Sequence, residues 1–186
     1  RLHTTAESHD RVLVVEVMGR HAGWIALHSG IAGGADITLI PEKPFTIKEV
    51  CDVIKQRHAR GKSFSIVVAS EGAKINTDSE HDKDGSFVLQ NLKKDSFGHV
   101  ALGGIGNIIA EEIEKETGYE TRAVVLGHIQ RGGTPTAFDR VLGSRFGMKA
   151  AEMVEAKEFG KMAALRGTKI LAVSLEEAVG TLKTVD

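Results

Sequence analysis

The densest chemistry in the chain is the run Gly127-His128-Ile129-Gln130-Arg131-Gly132-Gly133-Thr134-Pro135, which puts an imidazole, a guanidinium and three glycines where a strand gives way to a helix. Those residue types suit a bound phosphate. Glycines let backbone N–H groups close on an anion at the positive end of a helix, and Arg131 offers a planar fork for phosphoryl oxygens. Val124 to Leu126 read as the end of a buried strand, with Thr134 as N-cap and Pro135 as the first residue of the following helix. A glycine-rich turn that only redirects the chain is the plainer alternative, and the two cationic side chains inside the turn weigh against it.

Two more clusters follow apolar runs. Met18-Gly19-Arg20 comes directly after Val12 to Val17, and Glu71 comes after Phe64 to Ala69. A carboxylate beside two cationic clusters suits a phosphorylated sugar, because Glu71 can accept from hydroxyls while Arg20, His128 and Arg131 neutralise phosphate. Taken singly, Arg20 and Glu71 also read as solvated surface charges; their common place at strand ends joins them. The opposite ends of two strands carry Arg11 and Arg122. At about 3.3 Å per strand residue, Arg11 lies roughly 20 Å from Met18, and Arg122 is similarly far from His128. One small ligand in one subunit cannot readily touch both ends. Either Arg11 and Arg122 are plain surface cations, or they serve a ligand held by a neighbouring subunit.

The elements that would position these groups alternate. Val12 to Val17 is the nearly continuous β-branched run expected of a parallel strand covered on both faces. A helix from Trp24 to Ile31 is stopped by Gly33-Gly34, and Asp36 to Ile40 is a second strand closed by Pro41. Thr46 caps a helix with Ile47, Val50, Cys51 and Ile54 on one face and Gly61 past its end. Phe64 to Ala69 forms the third strand. A helix from Ile105 to about Thr117, a strand beginning near Arg122, a long helix from about Thr136 to Ala156 and a strand over Lys169 to Ser174 leading into a short helix complete the pattern. Strands alternating with helices predict an α/β fold with a parallel sheet in three layers, whose ligands gather outside the carboxyl ends of the strands. Residues 73–98 are polar and charged without a sustained period, and read as an exposed, mobile insertion.

With 186 residues, 41% hydrophobic and 26% charged, the chain is ordinary for a globular protein, and a net charge of -1 indicates no general polyanion-binding surface. Nucleic acid and membrane are therefore excluded as expected partners, since there is also no apolar run of membrane length. The single cysteine, Cys51, reads as a buried structural thiol, and with no disulfide pair the expected location is cytoplasmic. The first residue is Arg1 and no signal-peptide pattern follows it, so a fragment of a cytoplasmic protein is expected.

The stretch Arg11-Val12-Leu13-Val14-Val15-Glu16-Val17-Met18-Gly19-Arg20-His21-Ala22-Gly23-Trp24, together with Glu120-Thr121-Arg122 through Gly133 and Phe138-Asp139-Arg140, strongly resembles the phosphofructokinase family, and the His-Ala-Gly-Trp variant resembles its branch of mixed ATP- and pyrophosphate-dependent members. That resemblance implies transfer of a phosphoryl group from ATP or pyrophosphate, with Mg2+, to the 1-hydroxyl of fructose 6-phosphate in glycolysis. It implies that His128 and Arg131 hold the sugar's 6-phosphate with Ile129 and Gln130 between them, that Glu71 holds its hydroxyls and Met18-Gly19 its backbone, and that Arg20 lies by the transferring group and stabilises its charge. Arg11 and Arg122 would cross to a neighbouring subunit's substrate, so a homodimer or homotetramer is implied. A weaker correspondence places an effector nucleotide at Gly34, Asp36, Arg60 and Lys62; there Asp36 stands in place of a glutamate and Ser63 in place of a lysine.

The family's glycine-rich donor loops and the motif bearing its catalytic aspartate have no match here. The expectation is a substrate-binding α/β domain over residues 1–130, with residues 131–186 returning toward a second α/β domain that is mostly absent, no metal ligand in this chain, and no activity in isolation. Such a return would leave Val141, Leu142 and Met148 uncovered. A non-catalytic phosphosugar-binding or regulatory module is the alternative, and an oxidoreductase is disfavoured because no Gly-x-Gly-x-x-Gly follows the first strand.

Overall fold

The computed structural model describes residues 1–76 and 104–186, together with the backbone of three short strands between them. In chain order the elements are α1 (Leu2–Ser8), β1 (Val12–Val17), α2 (Trp24–Gly33), β2 (Ile37–Leu39), α3 (Ile47–Ala59), β3 (Ser65–Ser70), β4 (Lys74–Ile75), β5 (Ser86–Phe87), β6 (Leu89–Lys94), β7 (Val100–Leu102), α4 (Ile105–Thr117), β8 (Thr121–Val125), a 3-10 turn (Gly127–Arg131), α5 (Ala137–Glu155), β9 (Lys161–Arg166), β10 (Lys169–Ser174) and α6 (Leu175–Val179). They fall into two compact units, one of residues 1–130 and 184–186, the other of residues 131–183.

In the first unit the central sheet runs β2-β3-β1-β8 with every pair parallel. Both β1 and β3 are buried along their whole length, which is why they are apolar at successive positions instead of alternating. One face, through Val12, Val14, Val67 and Ala69, packs on Val50, Cys51 and Ile54 of α3 and on Ile105, Ile109 and Ile113 of α4. The other, through Leu13, Val15, Val17, Ile66 and Val68, packs on Ala6 of α1 and Ala26 of α2. Cys51 is buried in the first of these cores, and burial pushes its thiol up from the ordinary value.

Glu16 interrupts the apolar run of β1 at 3% exposure. It is kept there by hydrogen bonds rather than by a cation: Oε1 accepts from the Gly104 amide at 3.0 Å and Oε2 from the Gly106 amide at 2.8 Å, so the carboxylate satisfies donors at the start of α4. At the start of α3, Thr46 and Glu49 form a reciprocal capping box.

The second unit folds α5 against the antiparallel β9-β10 hairpin, burying Met153 and Val173. The hairpin's two-residue connection uses Gly167 at φ +60°, a conformation glycine adopts without strain. Among the described residues no helix is long and apolar enough to cross a membrane.

Several expectations change. Strand β8 is an edge of the sheet, and Val125 is half-exposed instead of buried. The cap of the long helix is Thr136, not Thr134: its hydroxyl accepts from the Asp139 amide in a second capping box, and Pro135 stands before the cap. The helix over residues 2–8 and strand β9 were not foreseen; the first is short and polar, and the second, Lys-Met-Ala-Ala-Leu-Arg, lacks a β-branched residue. The polar insertion lies for the most part outside the described residues; of its first residues, Ala73 is buried in the core and Lys74 pairs with Phe87. On α5, Val141 and Met148 are exposed while Leu142 is half-buried.

Thr46→Ala should lower the unfolding free energy by about 1 kcal/mol in urea titrations, the ordinary worth of such a cap. The Thr46 amide and hydroxyl hold the Glu49 carboxyl below its ordinary value of 4.5, so the part of the cap that rests on Glu49's charge is complete above that value and is lost as pH falls through the lower folded one.

Candidate functional site

The carboxyl ends of β1, β3 and β8 come together because the strands run in parallel register, Val17 beside Ser70 and Glu16 beside Val125. Beyond that row the chain is tied by hydrogen bonds between loops. The Met18 amide donates to Gln130 Oε1 at 3.2 Å, and the Gly19 amide donates to Glu71 Oε1 at 3.3 Å. Glu71 returns its own amide to the Val17 carbonyl at 2.8 Å, and Gln130 Nε2 donates to the Gly127 carbonyl at 3.0 Å. Met18, Gly19, Glu71 and Gln130, expected from the sequence to share a site, are therefore joined in one rim.

Gly19 takes φ +139°, and Ser70 donates its hydroxyl to the Gly19 carbonyl. Gly72 closes the arrangement from below: a Cβ there would lie 1.6 Å from the Arg20 carbonyl oxygen. Ser70 and Gly72 were not singled out from the sequence; the signal available was a small residue on each side of Glu71 at the end of a buried strand. Arg20 is exposed. His128 and Ile129 are exposed on the 3-10 turn, whose last residue, Arg131, begins the second unit. That turn, and not a helix N-terminus, carries the basic pair, because α5 starts only at Ala137.

At the amino ends, Arg11 and Arg122 share a counter-ion that the sequence reading did not assign. Glu120 Oε1 stands 3.0 Å from Arg11 Nη2 and 2.8 Å from Arg122 Nη2. Arg122 also reaches Glu114 at 3.6 Å and donates to the Thr121 carbonyl at 3.1 Å. Arg11 is the more enclosed of the two, and its Nε is buried without a hydrogen-bond partner. The structure thus groups these arginines with each other and separates them from the carboxyl-end rim by the length of β1.

The four residues matched to an effector site lie at the amino side of β2 and β3. Asp36 is fully engaged in the fold: Oδ1 pairs with Arg57 at 2.7 Å and Oδ2 accepts from the Ile66 amide at 2.8 Å. Gly34 is the left-handed C-cap of α2, and Arg60 caps the end of α3; Arg60 and Lys62 are exposed. Nearby, His58 stacks on Tyr119 at 3.9 Å between ring centroids, and burial lowers its pKa.

Residues 1–154 match the family model described as Phosphofructokinase. The chain is similar over its whole length to a pyrophosphate–fructose 6-phosphate 1-phosphotransferase of Streptomyces coelicolor, at 57% identity and covering 52% of that protein. It is 52% identical to an ATP-dependent 6-phosphofructokinase of Corynebacterium efficiens, covering 51% of it. Among solved structures, phosphofructokinase from Saccharomyces cerevisiae superposes with a TM-score of 0.75 at 31% identity, over 96% of this chain and 22% of that one. The chain spans about half the length of the curated relatives it matches.

Because the Gly72 contact is with backbone, no side-chain rotation relieves it. Gly72→Ala should cost about 1–3 kcal/mol, as overpacking does, and should speed amide exchange in residues 18–23. Gly143→Ala, with nothing within 4 Å of its added Cβ, is the control and should leave both measurements unchanged or slightly improved.

Proposed function

The chain belongs to the phosphofructokinase family, and from that premise we propose that it supplies most of the sugar-phosphate site of an enzyme transferring a phosphoryl group from ATP or pyrophosphate to the 1-hydroxyl of fructose 6-phosphate. The observation that carries this reading is the rim itself, in which the Met18 and Gly19 amides are bonded to Gln130 and Glu71. In this reading residues 1–130 form the substrate domain, residues 131–183 return toward a donor-binding part outside this chain, and residues 184–186, expected with that return, rejoin the first unit.

His128 and Arg131 neutralise the sugar's phosphate, and the peptide backbone of Ile129 and Gln130 spans the interval between them. Glu71 accepts from sugar hydroxyls while one of its oxygens holds the Gly19 amide. Met18 and Gly19 line the sugar's edge. Arg20, presented on the turn that Gly72 supports, stabilises the charge that spreads over the transferring phosphoryl oxygens. We assign Mg2+ to the donor's phosphates, where it would offset the charge of the transferring group. The base that takes the proton from the 1-hydroxyl belongs with the donor part.

Arg11 and Arg122 serve the sugar phosphate of a neighbouring copy, in a homodimer or homotetramer. The shared Glu120 supports this role by holding both guanidiniums at one strand end, where an incoming phosphate meets two cations at once. Gly34, Asp36, Arg60 and Lys62 mark an effector position; with both Asp36 oxygens engaged in the fold, Arg60 and Lys62 are its ligand-facing cations. Cytoplasmic location follows from the glycolytic reaction.

In the full-length protein, Arg122→Ala should raise KM for fructose 6-phosphate about ten- to a hundredfold, the worth of one charge-assisted hydrogen bond to phosphate, and leave the donor's KM within about twofold. An unchanged KM for the sugar phosphate rejects the assignment. The 186-residue polypeptide by itself should show no turnover with either donor, and measurable fructose 1,6-bisphosphate formation would refute the division of labour.

A further inference from the structure

We propose that Glu42 is a positioning residue that fixes the turn carrying Arg20 by tying the segment Thr184–Asp186 to the start of α2. Gly23 is the N-cap of α2 and has no side chain to satisfy the helix's first amides, and the first turn of that helix holds no acidic residue. An acceptor for the N-cap amide itself comes from elsewhere in the fold. Glu42, in the loop between β2 and α3, accepts from the Gly23 amide through Oε1 at 2.9 Å and Oε2 at 3.1 Å. An anion at that place is favoured by the helix dipole as well as by the bond.

The same Oε1 accepts from the Val185 amide at 2.9 Å. One carboxylate therefore joins two backbone sites 162 residues apart in sequence, and residues 184–186 are counted within the first unit. The fit is close: a Cβ at position 23 would lie 2.5 Å from Ile40 Cβ and 2.9 Å from Glu42 Oε2. Partial burial raises the Glu42 carboxyl, but the amides of Val185, Gly23 and Glu42 itself outweigh it and hold the group below its ordinary value, so it is ionised at neutral pH.

The turn Gly19-Arg20-His21-Ala22-Gly23 is thus anchored at both ends. Ser70, Glu71 and Gly72 hold it at Gly19 and Arg20, and Glu42 holds it at Gly23. The functional consequence rests on the proposed role of Arg20 at the transferring phosphoryl group: loosening the Gly23 anchor misplaces Arg20 in the transition state while leaving the contacts that bind the sugar phosphate in place.

The test uses the full-length protein with Glu42→Ala, Glu42→Gln and Val185→Pro, read by site-resolved hydrogen exchange and by steady-state kinetics. Glu42→Ala should speed exchange at both the Gly23 and Val185 amides about tenfold, the loss of roughly one hydrogen bond at each. It should lower kcat by a similar factor with the KM for fructose 6-phosphate within about twofold. Glu42→Gln keeps one acceptor oxygen but removes the charge and sets an NH2 donor where the second oxygen met the Gly23 amide, so exchange and kcat should fall between those of wild type and Glu42→Ala. Val185→Pro removes only the second donor and should raise exchange at Gly23 less than Glu42→Ala does. Unchanged exchange at Gly23 or Val185 in Glu42→Ala overturns the tie, and raised exchange with unchanged kcat overturns its positioning role. If the wild-type protein does not phosphorylate fructose 6-phosphate, the proposed function fails, while the exchange measurements still decide whether Glu42 joins the two segments.

Discussion

Everything in the first unit depends on β1 lying in parallel register between β3 and β8. Val12 stands beside Ser65 and Thr121 at one end, and Glu16 beside Ala69 and Val125 at the other. Strands in a sheet lie about 4.8 Å apart, so whatever follows them emerges side by side. Met18, Glu71 and the 3-10 turn are neighbours for that reason, and so are Arg11 and Arg122 at the opposite end. A slip of one residue would move Glu16 from the amides it satisfies to the other face of the sheet and would strand its carboxylate in the apolar layer formed with α1 and α2. The buried acid therefore opposes the wrong register as well as capping a helix.

The strand alternation, the capped α3 and the three charged strand ends were legible because each rests on a local signal: β-branched runs, Thr46 before an apolar helical stripe, and charged residues next to glycines. The edge position of β8 was not legible, since strand order is decided by which helices cover which face and a run such as Ala-Val-Val-Leu reads alike at an edge or a centre. The cap was expected at Thr134 because residue type does not separate one threonine from the other; the reciprocal bond with Asp139 puts it at Thr136. The carboxylate between Arg11 and Arg122 was visible as a residue and invisible as a partner, because Glu120 is two residues from Arg122 in sequence but reaches Arg11 only through strand pairing. Ser70 and Gly72 escaped notice for a related reason: small residues show their purpose only when the group they admit is in place.

The first unit's polar side chains divide into two kinds of work. Glu16, Glu42, Glu71 and Gln130 each accept a hydrogen bond from a backbone amide contributed by a different segment, at Gly104 and Gly106, Gly23 and Val185, Gly19, and Met18. Such bonds hold irregular backbone that has no strand or helix partner of its own, and a buried or half-buried amide left without one costs more than the bond itself contributes. Arg20 and His128, by contrast, are exposed. Rigid loops held by acceptor side chains, with cations left on the surface of those loops, are what a site for a charged ligand requires: the position of the charge is set before the ligand arrives, so little ordering entropy is spent on binding.

That division also explains why the amino-end arginines are built differently. A guanidinium pair facing no ligand would repel itself across neighbouring strands, and Glu120 cancels that repulsion by placing one oxygen within 3.0 Å of both. With Glu114 3.6 Å from Arg122 as well, the two guanidiniums and two carboxylates balance in charge, so any further anion would have to compete with both glutamates for the same donors. Such competition makes the guanidiniums responsive to what is bound nearby, since either acceptor displaces part of the other's bonding. The carboxyl-end rim is fixed by backbone bonds and the amino end by an exchangeable ion pair.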